Sequence, residues 1–197
     1  MKRYNCTNHC CNTGSEGFQF TALNWGIRQE IALCVAKAVA SLHSLVTENG
    51  KPLVCGVIKA SNILIRVDFS ACLSDYEAPY FVSPGTLIRR NPGRIAPELT
   101  QGQNSPKVFT EKSDVFSFGI LLLELITGKR PTVTNLEYYV KEKQRREGLN
   151  GVCDKRMVNV KENVADMLGI AGLCLLHKPN DRPSMDRVIQ MIEILQD

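Results

Sequence analysis

The chain has 197 residues, the usual length of one domain, and its hydrophobic fraction of 44% is enough for a sizeable core. Its formal charge of +4 is small and scattered, which argues against a nucleic-acid-binding protein. The longest apolar stretch, Val115 to Thr127, contains Glu124 and is too short to cross a membrane. The first residues have no apolar run, so we expect no signal peptide.

Residues 1–20 are polar and aperiodic, so we expect an irregular tail there and a single domain over residues 21–197. Four side chains that could bind metal lie in the tail: Cys6, His9, Cys10 and Cys11. Three interpretations stay open: the tail is reduced and irregular, it is palmitoylated beside a membrane, or it holds a zinc ion. The zinc interpretation lacks a second pair of ligands.

The first periodic segment follows Asn24, a helix-capping residue, and runs to about Leu42 with apolar side chains at helical spacing. Three short runs rich in β-forming residues come next, at Leu53–Cys55, Ile63–Val67 and Ala71–Leu73. The stretch from Tyr76 to Arg94 has three prolines and no clear period, and we predict a long loop.

The second half of the chain is predicted to be helical. The segment from Asp114 to Thr127 is apolar almost all round, which is typical of a helix buried on every side. Leu136–Arg146 is predicted to form a charged helix and Val164–Leu176 an apolar one, and Ser184 is predicted to cap the last helix. Four cysteines within apolar runs are predicted to be small buried residues: Cys34, Cys55, Cys72 and Cys174. The fold class that follows is mainly α with a small β element.

The region with the most informative spacing is Cys55 to Asp75. The letters CGVIKASN, followed by Asp75-Tyr76-Glu77, resemble the catalytic loop H-R-D-L-x-x-x-N and the D-F-G motif of protein kinases. By this resemblance, Val57 stands where the family keeps its catalytic Asp, and Gly56 stands where many kinases have an Arg that pairs with a phosphorylated loop. Lys59 is retained.

Two later motifs agree with this resemblance in order, Ala96-Pro97-Glu98 and the stretch SDVFSFGILLLELITGKRP. The wording of the second one is similar to plant receptor-like kinases, especially the leucine-rich-repeat type. The resemblance implies the C-terminal lobe of a kinase, with the N-terminal lobe absent from this chain. It also implies that Glu98 pairs with Arg182 and that Asp114 binds the backbone of the catalytic loop.

The resemblance further implies that Lys59 contacts the γ-phosphate of ATP and that Asn62 and Asp75 hold Mg²⁺. Glu77 replaces the glycine of the family motif and adds a second carboxylate, which repels a bound phosphate. The alternative is that all three retained residues serve loop hydrogen bonds and packing. We therefore assign no metal site and expect that the protein requires no cofactor and that it binds ATP and Mg²⁺ weakly or not at all.

The function that these residues favour is a catalytically impaired receptor-like kinase fragment, a pseudokinase that acts as an interaction module. Serine/threonine kinase activity with residual ATP and Mg²⁺ binding, and a truncated product without a function, are the alternatives. Tyr76, Tyr80, Phe81 and Val82 are expected to be partly uncovered and to support self-association or binding of a protein partner, such as another kinase. The expected location is cytoplasmic, including the inner face of the plasma membrane.

Overall fold

The computed structural model describes residues 23–76, 78–101, 106–131, 135–157 and 163–196. The predicted tail, with Cys6, Cys10 and Cys11, lies outside them. The helices of the described part are α1 (Trp25–His43), α2 (Ala78–Phe81), α3 (Pro84–Arg90), α4 (Pro97–Thr100), α5 (Glu111–Thr127), α6 (Leu136–Val152), α7 (Val164–Cys174) and α8 (Met185–Ile194). Two strands, β1 (Ile63–Ile65) and β2 (Ala71–Leu73), pair antiparallel with Leu64 opposite Cys72. The predicted mainly helical fold with a small β element is confirmed.

Helix α5 is the centre of the fold. From Ser113 to Thr127 every side chain is buried except that of Phe116, which is half-buried. Thr110 caps its start by accepting a hydrogen bond from the Ser113 amide, and Gly128 ends it in the left-handed conformation. The prediction of a helix buried on every side is therefore confirmed.

The surrounding helices cover α5 on several sides. Helices α1, α6 and α7 pack against it, and α8 packs against α1. The approach of α7 is close because residue 119 is glycine: a Cβ there would lie 2.8 Å from the Cβ of Cys174. A larger side chain at position 119 would therefore push the two helices apart.

Two predicted features differ from the structure. Leu53–Cys55 is not a strand, because the amides of Val54 and Cys55 donate to side chains of Tyr80 and Asp114 instead of to a neighbouring strand. The segment from Tyr76 to Arg94 contains the short helices α2 and α3. Ser83 caps α3 and Pro84 occupies its first turn, a combination that favours helix initiation.

Smaller corrections concern the cysteines and α6. Cys55 and Cys174 are buried as predicted, whereas Cys34 and Cys72 are only half-buried. Helix α6 extends beyond the predicted charged segment to Val152, with a non-helical backbone conformation at Gly148. No helix within the described residues is both long and apolar enough to cross a bilayer.

A buried ion pair that the sequence did not suggest joins α1 to the segment after α6. Arg28 donates to Asp154 at 2.7 Å and to the carbonyl oxygen of Leu125 at 2.7 Å. Arg156 donates to the same Asp154 carboxylate at 2.7 Å. Burial alone would raise the pKa of Asp154, but the hydrogen bonds from Arg156 and Arg28 outweigh it and lower the pKa to about 2.

This pKa predicts acid-sensitive stability. A carboxyl group with a lowered pKa in the folded state stabilises the fold above its ordinary pKa of 3.8 and loses that contribution as the pH falls to about 2. We expect Asp154→Asn to be less stable than the wild type at pH 5 and to lose less stability between pH 4 and pH 2. Urea unfolding across this range measures it, with the exposed Asp186→Asn as control. Parallel pH profiles for wild type and Asp154→Asn would contradict the prediction.

Candidate functional site

The start of α5 fixes the loop that the sequence singled out. Asp114, with no exposed surface, accepts hydrogen bonds from the Cys55 amide at 2.7 Å and the Gly56 amide at 2.8 Å. One turn later, the hydroxyl of Ser117 accepts a hydrogen bond from the Ile58 amide at 3.1 Å. His43, at the end of α1, lies 2.9 Å from the Asp114 carboxylate. The loop backbone is thus held by side chains of the most buried helix.

A cavity of about 530 Å³ opens beside this loop. It brings together the four residues that the kinase resemblance implies for the site: Val57, Lys59, Asn62 and Asp75. Arg90 and Asn91, from the end of α3, also line it, and nothing in the sequence pattern had indicated them. The volume is in the range of ordinary ligand-binding pockets.

Val57 lies on the floor of this cavity and is 8% exposed. It belongs to an apolar cluster with Val54, Leu87, Leu99 and Phe109. An aliphatic side chain neither accepts a proton nor binds a substrate hydroxyl. The position therefore contributes packing and has no acid–base capacity.

Lys59 is half-buried, and its amino group donates to the Asn91 side-chain oxygen at 3.1 Å. Burial lowers the pKa of Lys59, the nearby charge of Arg94 lowers it further, and the carboxylate of Asp75 raises it by less. Among the described residues, Lys59 forms no ion pair. The cavity therefore holds a cation whose charge is only weakly compensated.

Asn62 and Asp75 supply the oxygen atoms that Mg²⁺ prefers, and both face the cavity. Asn62 is 6% exposed, and its side-chain oxygen accepts a hydrogen bond from Ser61 at 3.3 Å. Asp75 is exposed and has a φ of 59°, an uncommon backbone conformation for a residue other than glycine. A magnesium ion held by these two side chains would take its other ligands from phosphate and water. Glu77 lies outside the described residues, which contain no cluster of three or more metal-binding side chains.

Gly56 has no space for the arginine found at its position in many kinases. Its φ is 81°, and a Cβ there would lie 2.3 Å from the Cγ of Pro79. Helix α2 is docked on the loop by this contact and by a hydrogen bond from the Val54 amide to the Tyr80 hydroxyl at 3.0 Å. This docking could not be predicted from the sequence, because it depends on the fit between α2 and the loop.

The expected uncovered face is present in part. Tyr76 is 41% exposed, Tyr80 48% and Phe81 80%, whereas Val82 is half-buried against the apolar cluster below it. Tyr76, which stands in the place of the phenylalanine of the D-F-G motif, therefore does not pack into the core. Cys55 does, and burial strongly raises the pKa of its thiol.

The Arg182 side chain, fully buried, forms a bidentate ion pair with Glu98 through two contacts of 2.8 Å. It also donates to the main-chain oxygens of Leu176 and Lys112, and its guanidinium lies over the Phe116 ring at 5.0 Å. The pair ties the short helix α4 to the segment before α8.

A second buried ion pair was not predicted. Arg94 contacts the Glu124 carboxylate at 2.5 Å, and Glu124 is 1% exposed within α5. Burial raises the pKa of Glu124, although the Arg94 charge opposes this. One Glu124 oxygen and the Arg94 Nε have no hydrogen-bond partner among the described residues. The Arg94 charge is therefore engaged at α5 and is not presented to the cavity as a donor.

We predict that Asp114→Asn lowers the free energy of unfolding by about 1–3 kcal/mol, because its amide turns a donor toward one of two buried backbone amides. Urea unfolding measures the loss. Faster hydrogen exchange at the amides of Cys55 and Gly56 is expected as well. The exposed Asp166→Asn is the matched control, and equal effects of the two substitutions would contradict the assigned role of Asp114.

Comparison with known proteins agrees with the motifs. A family model described as protein tyrosine and serine/threonine kinase matches residues 23–192. A probable inactive receptor kinase of Arabidopsis thaliana is 36% identical over 184 residues, which cover 87% of this chain and 28% of the relative. A probable LRR receptor-like serine/threonine-protein kinase of the same plant is 34% identical over 189 residues, which cover 87% and 30%. The chain thus spans less than a third of these relatives.

Among solved structures, the pseudokinase domain of BIR2, described as an immune regulator of the RLK/Pelle family, matches with a TM-score of 0.69 and 26% identity. The match covers 88% of this chain and 53% of that one. The described residues correspond to a kinase-like C-terminal lobe, and none of them forms an N-terminal lobe. The resemblance to plant receptor-like kinases that the motifs suggested is confirmed.

Proposed function

Because the chain belongs to the protein tyrosine and serine/threonine kinase family, we propose that it is a non-catalytic member, a pseudokinase domain that acts by binding other proteins. The observation that carries this proposal is Val57, buried and apolar at the position of the catalytic base. A positioned base contributes roughly 10²–10⁴ in rate, and a valine side chain cannot supply one. The test is incorporation of radiolabelled phosphate from ATP into the chain and into a generic protein substrate, and none above background is expected.

Two of the relatives support the proposal by their names, an inactive receptor kinase and a pseudokinase domain. The similarity to these proteins favours another protein kinase as the partner. The location proposed with it is the cytoplasm, including the inner face of the plasma membrane, because the relatives are receptor kinases.

The surface proposed for binding is formed by Tyr76, Tyr80 and Phe81, beside the cavity. Three exposed aromatic side chains close together in sequence are the feature expected of an interaction site.

We expect the wild-type chain to self-associate with rising concentration through this surface, and Phe81→Ser to weaken the association by at least several-fold because Phe81 is 80% exposed. Sedimentation velocity over a concentration series measures it. Tyr138→Ser, at a 67% exposed aromatic residue of α6 that does not line the cavity, is the control. A wild-type chain that stays monomeric, or equal effects of both substitutions, would contradict this surface.

A second candidate function is Mg²⁺-dependent nucleotide binding without phosphate transfer. It is favoured by Asn62 and Asp75, whose oxygen atoms line the same cavity as Lys59. Calorimetric titration with ATP, with and without Mg²⁺, separates it from the first candidate.

A further inference from the structure

The cavity beside Val57 combines two cations with few opposing charges. Lys59 and Arg90 both line it, and Asp75 is the one acidic side chain among its described lining residues. Arg90 is exposed and has no hydrogen bond or ion pair among the described residues. The charges of these lining side chains sum to a positive value, which favours an anionic ligand.

At this end of the cavity the amino group of Lys59 is positioned by Asn91. Asn91 is 4% exposed, and its amide nitrogen donates to the Leu87 oxygen at 2.8 Å, which turns its own side-chain oxygen toward Lys59. An ammonium group has three N–H donors, of which Asn91 takes one. Two donors of Lys59 and the guanidinium of Arg90 are left for a ligand. A phosphate group, with its terminal oxygens, matches such a set of donors.

Val57 changes which ligand the cavity tolerates. In an active kinase the carboxylate at this position receives a substrate hydroxyl, and it would repel the same side chain once that side chain carried a phosphate. Valine removes the repulsion and leaves an apolar floor. The apolar walls, among them Leu87 and Val82, can hold the methylene or methyl group of a phosphorylated residue.

We propose that this cavity binds a phosphorylated serine or threonine side chain of a partner protein, with Lys59 and Arg90 as the phosphate-binding residues. The proposal rests on the proposed function only in requiring that Val57 leaves the site without a catalytic base. The protein would then recognise the product of another kinase instead of making one.

A substitution of Asp75 distinguishes a phosphorylated side chain from a nucleotide as the ligand of this cavity. Its carboxylate would bind the Mg²⁺ of Mg-ATP, so that Asp75→Asn weakens nucleotide binding. The same carboxylate repels a phosphorylated side chain that arrives without a metal ion, so that Asp75→Asn strengthens phosphopeptide binding. Asp75→Asn is therefore expected to change the affinities for a nucleotide and for a phosphopeptide in opposite directions.

The experiment uses the full chain and fluorescence polarisation at low ionic strength, without Mg²⁺. The probes are fluorescein-labelled peptide mixtures with a fixed central phosphoserine and degenerate flanks, and the same mixtures with serine. We expect the phosphorylated mixture to bind about tenfold or more tightly than the serine mixture, because the phosphate makes charge-assisted hydrogen bonds. We expect Arg90→Ala and Lys59→Ala each to remove most of that preference.

The neighbouring Arg89→Ala is the matched control, because Arg89 is exposed on the same turn of α3 but does not line the cavity. Arg90 is also exposed, so Arg90→Ala tests the proposal without relying on a substitution at a half-buried lysine. Equal binding of both mixtures, or equal losses in Arg89→Ala and Arg90→Ala, would overturn the proposal while leaving absence of phosphate transfer intact. A nucleotide site would be indicated instead if Mg-ATP bound more tightly than the phosphopeptide mixture and Asp75→Asn abolished that binding. Together with equal binding of the phosphoserine and serine mixtures, this result would overturn the proposal.

Discussion

Arg182→Ala is expected to lower the free energy of unfolding by about 3–5 kcal/mol, one of the largest effects of a single substitution in this chain. The side chain of Arg182 is fully buried, whereas that of Glu98 retains 29% exposure, so the stranded carboxylate is only part of the cost. The main-chain oxygens of Leu176, Lys112 and His177 lose their donor as well. Partly buried acceptors that lose their donor add to the cost, and the Phe116 ring loses the packed guanidinium.

A double-mutant cycle measures the contact itself. Glu98→Ala is expected to cost less than Arg182→Ala, because Arg182 keeps its main-chain acceptors. The double variant should be more stable than the sum of the single losses predicts, with a coupling of about 0.5–3 kcal/mol. An exposed pair at a similar distance, Lys37 with Glu193 at 2.8 Å, is the control, and its coupling should be within experimental error. Additive losses at Glu98 and Arg182 would contradict the assigned contact.

The elements that the sequence predicted well are those with a local signal. Helix α5 has apolar residues on all faces and the glycine at its end, so its burial and its C-terminus follow from the pattern alone. Asn24 and Ser184 cap α1 and α8 through side-chain oxygens that accept from Ile27 and Arg187. Such signals act within one helical turn, which is why they can be recognised without a structure.

The contacts that the sequence could not predict join distant parts of the chain. Arg28 and Asp154 are 126 residues apart, and Arg94 and Glu124 are 30 apart. Arg28, Arg94 and Asp154 are each indistinguishable in the sequence from a solvent-exposed charge. Glu124 lies in the helix predicted to be buried, but the sequence does not reveal its partner. Only the packing of α1 and α5 against their neighbours decides which charges are buried.

The candidate site likewise contains residues that could be predicted from the sequence and residues that could not. The resemblance to protein kinase motifs implied that Val57, Lys59, Asn62 and Asp75 belong to one site, and all four line one cavity. Arg90 and Asn91 reach that cavity because α3 forms within a segment whose three prolines had suggested a loop. Their part in the site depends on this short helix, whose capping residue is recognisable but whose packing is not. The roles of these residues in binding stay predictions.

Loss of phosphate transfer is the other large effect expected of this protein. Without a base at position 57, transfer should be slower by roughly 10²–10⁴ than with one. Val57→Asp alone is not expected to restore it, because phosphoryl transfer depends mainly on positioning and on charge stabilisation by groups that the described residues do not supply. Val57→Asp instead tests the proposed phosphate binding, since a carboxylate that lines the cavity should weaken binding of the phosphoserine mixture.

The absence of phosphate transfer is tested by incubating the wild-type chain with radiolabelled ATP, Mg²⁺ and a generic protein substrate. The chain with both Asn62→Ala and Asp75→Ala serves as background, because it lacks both side chains that could hold the metal. We expect equal incorporation by the two proteins, in the substrate and in the chain itself. Incorporation by the wild type that rises with time and disappears in the double variant would contradict it.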